Sequence, residues 1–424
     1  MPFTLKQLAR VITFTAGVAS AQLTQAQAGT PFQLPLALPY SHWFYAPATA
    51  PLDSYLTRQA TTHNGRQVAK VLDPALKRLF QSGQLTSEQI KALEKFSDEL
   101  AKAPGGIGAA LEQLAGSPNA NLAAATQSTT QHLSNQLLST LRTLPDDDNG
   151  HFWLQSLGND GSLDSQGGSA GLKYGTQGLM LGADWALDYA WRAGVMGAKS
   201  TTKLDAQRFA GELDSWHLGA YAVRQDGPLA LRLGAIYSSH GGQNQRNVQL
   251  LDYTEKLTGK YAAQSQTLFS EMGYQLGDEA FSIEPFAGLG YQRYHRDGFK
   301  EQGGRAALNV GPQTQQNLST TFGVRLATVY HFDNRMSLSP HLSTGWKHLY
   351  GEVDSPVRQS FRYSPVSVDD FTINGTTLDR NSLNWRAGVD LELSPLHTVG
   401  LTYSGDSGSH NSNQGLMGEW RVRF

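Results

Sequence analysis

Residues 415–424 read GLMGEWRVRF. Leu416, Gly418, Trp420, Val422 and Phe424 alternate with Met417, Glu419, Arg421 and Arg423. Successive side chains of a strand point to opposite faces, so one face here is apolar and aromatic and the other carries charge. A strand held between lipid and a watery lumen needs that division. The same period of two recurs upstream. Trp385, Ala387, Val389, Leu391 and Leu393 alternate with Arg386, Gly388, Asp390 and Glu392. Leu229, Leu231, Leu233, Ala235 and Tyr237 alternate with Ala230, Arg232, Gly234 and Ile236. Phe281, Ile283, Ala287, Leu289 and Tyr291 share a face opposite Ser282, Glu284, Gly288 and Gly290. A soluble β-sandwich also alternates. It does not readily place Arg232, Arg325, Arg386, Asp390, Glu392 and Glu419 opposite apolar residues unless that face is wet.

The connections carry the count. Short ones fall near Asp188, at Gln225-Asp226-Gly227-Pro228, Gly277-Asp278-Glu279, Asp333-Asn334-Arg335 and Ser394-Pro395, each with turn-forming residues. Longer polar ones intervene, among them Gly158 to Thr176, Ser238 to Lys260, Arg293 to Gln316 and Tyr350 to Arg380. Short and long alternate, which predicts an all-β, 12-stranded antiparallel transmembrane barrel over about 149–424. An even strand number puts both barrel ends on the short-turn side.

Upstream the pattern changes. Lys6 and Arg10, the apolar run Val11 to Ala21 and the Ala26-Gln27-Ala28 site, with Ala19-Ser20-Ala21 as an earlier option, predict a signal peptide over 1–28; a buried N-terminal helix is the other reading. Residues 29–62 hold Pro31, Pro35, Pro39, Pro47 and Pro51 and read as a short irregular segment. Residues 63–118 read as a helical junction. Val68, Val71, Leu72, Leu76 and Leu79 keep helical spacing across Pro74, and Thr86 with Gln89 fits a capping box. Ser117 is the expected N-cap of a further helix, 119–144, with Pro118 at its first position. Leu133, Leu137, Leu141 and Leu144 form one stripe on it, and its full charge is Arg142 near the C-terminal end, where the dipole favours a cation. Such a slim, polar helix suits a wet, confined channel; an ordinary surface helix is the other reading.

Composition removes several functions. A formal net charge of -2 gives no electrostatic case for nucleic acid, and zero cysteines exclude disulfides and thiolate sites. No cofactor or metal is expected. The Gly167–Gly171 stretch (GGSAG) leads into a strand rather than a helix, so it is no nucleophile elbow. Gly405-Asp406-Ser407-Gly408 lies in an outer loop. Asp146-Asp147-Asp148 lacks spaced calcium ligands, and His217, His341 and His348 lack metal spacing. Arg232, Glu284, Arg325, Arg386, Asp390, Glu419 and Arg421, with Arg192 and Glu271, are expected lumen charges, either gripping the helix or merely hydrating the lumen.

The order of segments resembles the translocator unit of classical (type Va) autotransporters over roughly 64–424. The stretches that carry it are NGRQVAKVLDPALKRL, LEQLAGSPNANLAAAT, TQGLMLGADWAL (176–187), DSWHLGAYA (214–222), QTLFSEMGY (266–274), LDRNSLNWRAGVDLEL (378–393) and GEWRVRF (418–424). The resemblance implies a monomeric, non-enzymatic protein of the Gram-negative outer membrane. It implies lipid, periplasmic chaperones and the barrel-assembly machinery as partners. Trp420, Val422 and Phe424 would be the assembly signal, and Leu133, Leu137, Leu141 and Arg142 would lie on the lumen helix. The family usually carries a large exported passenger; here residues 29–62 are the most that could serve as one, and 29–118 would be surface-exposed. A porin-like channel is the alternative, and a surface esterase a more distant one.

Overall fold

A computed structural model of the chain describes residues 54–424 apart from Pro145, Asp146, Asp148, Gly167, Glu279, Asn334, Arg335 and Pro365. The expected signal peptide and most of the irregular segment therefore lie outside the described residues, as does part of the 333–335 turn.

Twelve long strands close on themselves in one antiparallel barrel. They are β1 (His151–Leu163), β2 (Leu172–Ala186), β3 (Trp191–Ala206), β4 (Phe209–Asp226), β5 (Leu229–Leu250), β6 (Tyr253–Tyr274), β7 (Phe281–Arg296), β8 (Gln313–Thr328), β9 (Ser337–Gly351), β10 (Asn381–Ser394), β11 (His397–Ser407) and β12 (Asn411–Arg423). Each pairs with its chain neighbour, and β12 returns to β1 with His151 opposite Arg423. Closure leaves no sheet edge and satisfies the strand backbone without water. Outward-facing residues are the apolar alternates: Leu218, Leu268, Leu289, Phe322, Leu342 and Trp420 are all exposed.

The loop-length rhythm is corrected by the structure although the strand number stands. The residues expected to form the long connection Ser238 to Lys260 are mostly strand, and β5 and β6 run 22 residues each to a tight turn at 251–252. Residues 207–208 and 408–410 are likewise brief turns. Arg208 and Leu251 take left-handed conformations, φ 59° and 55°, so each turn reverses at once. A 22-residue strand reaches about 70 Å along its length at roughly 3.3 Å per residue, whereas the lipid-facing band of a barrel is about 25 Å tall. β5 and β6 therefore stand well above any bilayer. Polar alternation continues past the lipid band, and sequence alone does not distinguish such an overhang from a loop.

The overhang has an occupant. Two genuinely long connections, 297–312 and 352–380, supply short strands Phe299–Lys300, Leu308–Val310, Pro356–Phe361 and Phe371–Asn374, which pair as a separate small sheet. Helices α1 (Tyr55–Gln59), α2 (His63–Gln81), α3 (Ser87–Lys102) and α4 (Gly106–Ala115) pack against it and against the tall strands. Val68, Ile107 and Leu111 share one apolar cluster with Leu204, Phe209, Leu308 and Ile373. Phe96 and Ala110 share another with Val248, Leu250 and Leu257. Helices and loop sheet together cap one end of the barrel; the short turns lie at the other.

Local chemistry sets the helices. Thr86 and Gln89 form the expected reciprocal capping box at α3. Pro74 sits inside α2, and the residue before it is put to use: the Asp73 carboxylate accepts from the Leu56 and Thr57 amides at 2.8 and 3.0 Å, docking α1. Residues 55–59, expected to be irregular, are thus one helical turn held by a tertiary acceptor. Gly105 and Gly116, at φ 76° and 63°, bound α4 as left-handed hinges that favour glycine.

Helix α5 (Pro118–Thr143) follows immediately and descends through the lumen. Ser117 does not cap it as expected. Its backbone is already helical, and its hydroxyl donates to the Glu112 carboxylate instead.

Candidate functional site

The site is the lumen with α5 inside it. At the capped end, Ala120, Leu122, Ala123, Ala124 and Ala125 are fully buried. Small side chains let the helix backbone approach walls carrying Tyr174 and Tyr294. Asparagines fix its depth. Asn244 donates to Asn119 Oδ1 at 2.9 Å, Asn121 donates to the Ala170 carbonyl at 2.8 Å, and the Thr376 amide donates to Asn121 Oδ1 at 2.6 Å. Arg246 bridges cap and wall. It pairs with Glu301 at 2.6 Å and donates to the Gln113 carbonyl of α4 at 2.7 Å.

Lower down, Leu133, Leu137 and Leu141 are buried in a cluster with Trp153, Leu157, Met180, Met196, Tyr221 and Ile236. Trp153 donates its indole N–H to Tyr221 at 2.8 Å, and the Tyr221 hydroxyl donates to Asp184 at 3.0 Å. The apolar stripe thus has a wall matched to it, on the β1–β5 side.

The last turns of α5 meet charge. Arg142 makes a two-pronged contact with Glu271: Nε reaches Oε1 at 2.9 Å and Nη2 bonds Oε2. Arg232 joins Glu271 at 3.3 Å and Glu284 at 2.7 Å; Arg325 joins the same pair at 3.3 and 2.5 Å. Arg142 and Arg325 both lie over the Phe286 ring, at 5.0 and 5.4 Å. Arg421 donates to the Thr143 carbonyl and, at 2.6 Å, to its hydroxyl, satisfying a helix end that has no intrahelical donor. Glu419 accepts from Arg421 at 2.6 Å, Gln155 at 2.7 Å and Thr140 at 3.2 Å. Arg386 donates to the Asn135 carbonyl at 2.9 Å. Asp390 lies 3.8 Å from the His341 ring.

The arrangement brings Arg232, Glu284 and Arg325 into one network with Arg142, and Glu419 with Arg421 into a second. Arg386 touches the helix alone, and Asp390 stands apart. Glu271 is the hub. Asn119, Asn121, Gln155 and Glu301 were not legible as contacts, because single polar residues carry no partner label; alternation could only place Gln155 on the inward face with Trp153. Beside and below the last turn of α5 a largely polar cavity of about 820 Å3 opens at the short-turn end.

At the chain end, Phe424 pairs its backbone with Gly150 at 2.9 and 3.1 Å. Its ring covers Gly150 so closely that a Cβ there would lie 2.6 Å from a ring carbon. Trp420 and Phe424 are exposed outward, and the His397 ring stacks on Trp420 at 5.9 Å. Val422 is half-buried beside Phe152 and His397.

The motifs set aside from sequence gain nothing from geometry. Ser169 is 2% exposed and bonded to Asn121. Ser407 lies in the β11 strand opposite Ser412. Among the described residues no group of three His, Asp or Glu could hold a metal.

A family model described as "Autotransporter beta-domain" matches residues 152–404. Two proteins of Serratia marcescens, each named an extracellular serine protease, are 31% and 32% identical to this chain over 324 residues. The match takes in 74% of this chain and 30% of each relative, so the chain spans under a third of their length. Among solved structures, the translocator domain of the autotransporter NalP from Neisseria meningitidis is similar, with a TM-score of 0.57 and 16% identity. The match covers 72% of this chain and 99% of that one.

Proposed function

The chain belongs to the autotransporter β-domain family, an outer-membrane translocator of Gram-negative bacteria, and from that premise we propose that the segment it carries outward is its own helical cap. The single observation that supports this reading is direction. α5 enters at the capped end with Asn119 and leaves at the short-turn end with Thr143, where both barrel ends also lie. Short turns face the periplasm in outer-membrane barrels, so α1–α4 stand outside the cell. The cap then lies on the exported side, and α5 is the part left threaded behind it.

Residues 1–28 direct the chain to the periplasm, where chaperones hand it to the barrel-assembly machinery. Trp420, Val422 and Phe424 form the assembly signal: two exposed aromatics and a half-buried valine on the lipid face of the last strand. Arg142, Leu133, Leu137 and Leu141 hold the helix, and the lumen charges grip rather than merely hydrate. The mature protein is a monomer. The β-domain is a non-enzymatic unit, and the chain as a whole has no catalytic function; labelling of intact cells by a covalent serine probe would contradict that.

The test uses the absence of native cysteine. Lys95 on α3 is exposed, as is Asp278 in a short turn. With Lys95→Cys, intact cells take up a membrane-impermeant maleimide; with Asp278→Cys, labelling requires permeabilised cells. The reverse pattern overturns the reading.

A further inference from the structure

The lumen network leaves part of its charge unanswered. Arg142, Arg232, Arg325 and Arg386 all line the cavity at the short-turn end. The carboxylates bonded to this group are Glu271 and Glu284, and both are already shared among Arg142, Arg232 and Arg325. Four guanidiniums thus share two bonded carboxylates; Arg192, Asp147, Asp188 and Asp390 also line the cavity, with Arg192 paired to Asp147 and Asp184.

Arg386 is the unmatched one. Its Nη2 bonds the Asn135 carbonyl, and its Nη1 is buried without an acceptor. Among the described residues no carboxylate is ion-paired with it, while Arg142 and Arg325 are its cationic neighbours. Arg232, 4% exposed, also has an unbonded Nε. Asp390, on the same inward face of β10, has His341, Arg421 and Glu419 as its charged or titratable neighbours. A guanidinium does not discharge itself by losing a proton; Arg386 is half-buried at the cavity wall, where Glu271 attracts it without bonding it, and a charge so thinly paired favours an anion beside it.

We propose that this vestibule binds a small free oxyanion of the phosphate class, seated against Arg386 and Arg325. Ser343 lies directly opposite Arg386 across the β9–β10 ladder, is nearly buried, and lines the same cavity. Its hydroxyl adds a neutral donor. The fork of a guanidinium matches two oxygens of a tetrahedral anion, which a halide cannot offer. About 820 Å3 leaves room for the anion and its remaining water. Because Arg386 also holds the Asn135 carbonyl, anion occupancy and the seating of α5 are linked. The site does not depend on which segment is exported.

Calorimetric titration of the full chain in neutral detergent with inorganic phosphate, at constant ionic strength, tests it. One saturable site per barrel is expected, displaced by sulfate but not by chloride; acetate serves as the free-carboxylate arm and binds more weakly. Arg386→Gln lowers phosphate affinity by roughly tenfold or more, about 1.4 kcal/mol. Ser343→Asp places a tethered carboxylate beside Arg386 and removes phosphate binding while raising the unfolding temperature. Heat-modifiable gel mobility reports folding of each variant. If Arg386→Gln does not fold, Ser343→Asp decides. Unsaturable heats with the wild-type chain, or unchanged affinity in Ser343→Asp, overturns the proposal.

Discussion

Residue by residue, the hold on the end of α5 centres on Arg142 and Glu271. Both are nearly buried, at 9% and 2% side-chain exposure. A surface pair would be worth little, but here removal of Glu271 strands the Arg142 charge, at a cost of about 3–5 kcal/mol, whereas removal of Arg142 leaves Glu271 still paired with Arg232 and Arg325 and costs less. Glu271→Gln is therefore expected to destabilise the folded barrel by that order, and Arg142→Ala by less. Their double mutant should recover part of the loss, with a coupling of roughly 0.5–3 kcal/mol in denaturant unfolding. Zero coupling would reduce the network to hydration. Gly150 makes a second residue-scale prediction. Its Cβ position is filled by the exposed Phe424 ring, so Gly150→Ala should turn that ring aside and slow assembly into vesicles, measured by appearance of the heat-modifiable band. Unchanged kinetics would show that the ring is free to move. The inward charges were legible because alternation alone assigns faces. Which carboxylate meets Arg142 was not, because Glu271 lies 129 positions away and nothing local points to it.

At the scale of elements, the clasp between helices and cap carries the pH dependence. Thr62 donates to Glu112 at 2.5 Å, Ser117 donates to its other oxygen, and Asn64 ties Ser117 to the loop strand through Asn374 at 2.8 and 2.9 Å. Burial pushes the Glu112 carboxyl above its ordinary 4.5, outweighing the Ser117 and Thr62 hydroxyls, which lower it. The folded cap therefore binds this proton more tightly than the unfolded chain. Its contribution is fully present below the ordinary carboxylate pKa and is lost as pH rises through the elevated one. Protease release of residues 54–115 should grow as pH rises through that window, and Glu112→Gln should flatten the profile. A cap that loosens on acidification instead would contradict the assignment. The α3 capping box and the Leu133–Leu141 stripe were legible from local spacing. The docking of α1–α4 was not, since the wall they meet is made of strand residues that read as loop.

At the scale of the molecule, two closures act in series: α5 fills the bore and the cap seals the mouth. Planar-bilayer conductance of the full chain should be low. Deleting 54–115 alone should raise it little, because α5 stays, whereas deleting 54–143 should open a large pore. Equal conductance in all three would remove the plug. Barrel closure and strand number followed from period-two alternation and turn chemistry, which are local. The height of β5 and β6 did not, because it is set by what those strands pack against above the membrane. The threading of α5 and its direction are open to a proximity experiment. Thr140 contacts Gln155 at the short-turn end, and Asn119 contacts Asn244 at 2.9 Å at the capped end. Cysteine pairs at 140/155 and 119/244, treated with a short thiol-specific cross-linker in whole cells, should both join. The exchanged pairs 140/244 and 119/155 should not. Joining of the exchanged pairs would mean the helix runs the other way, and joining of none would mean it is not in the lumen.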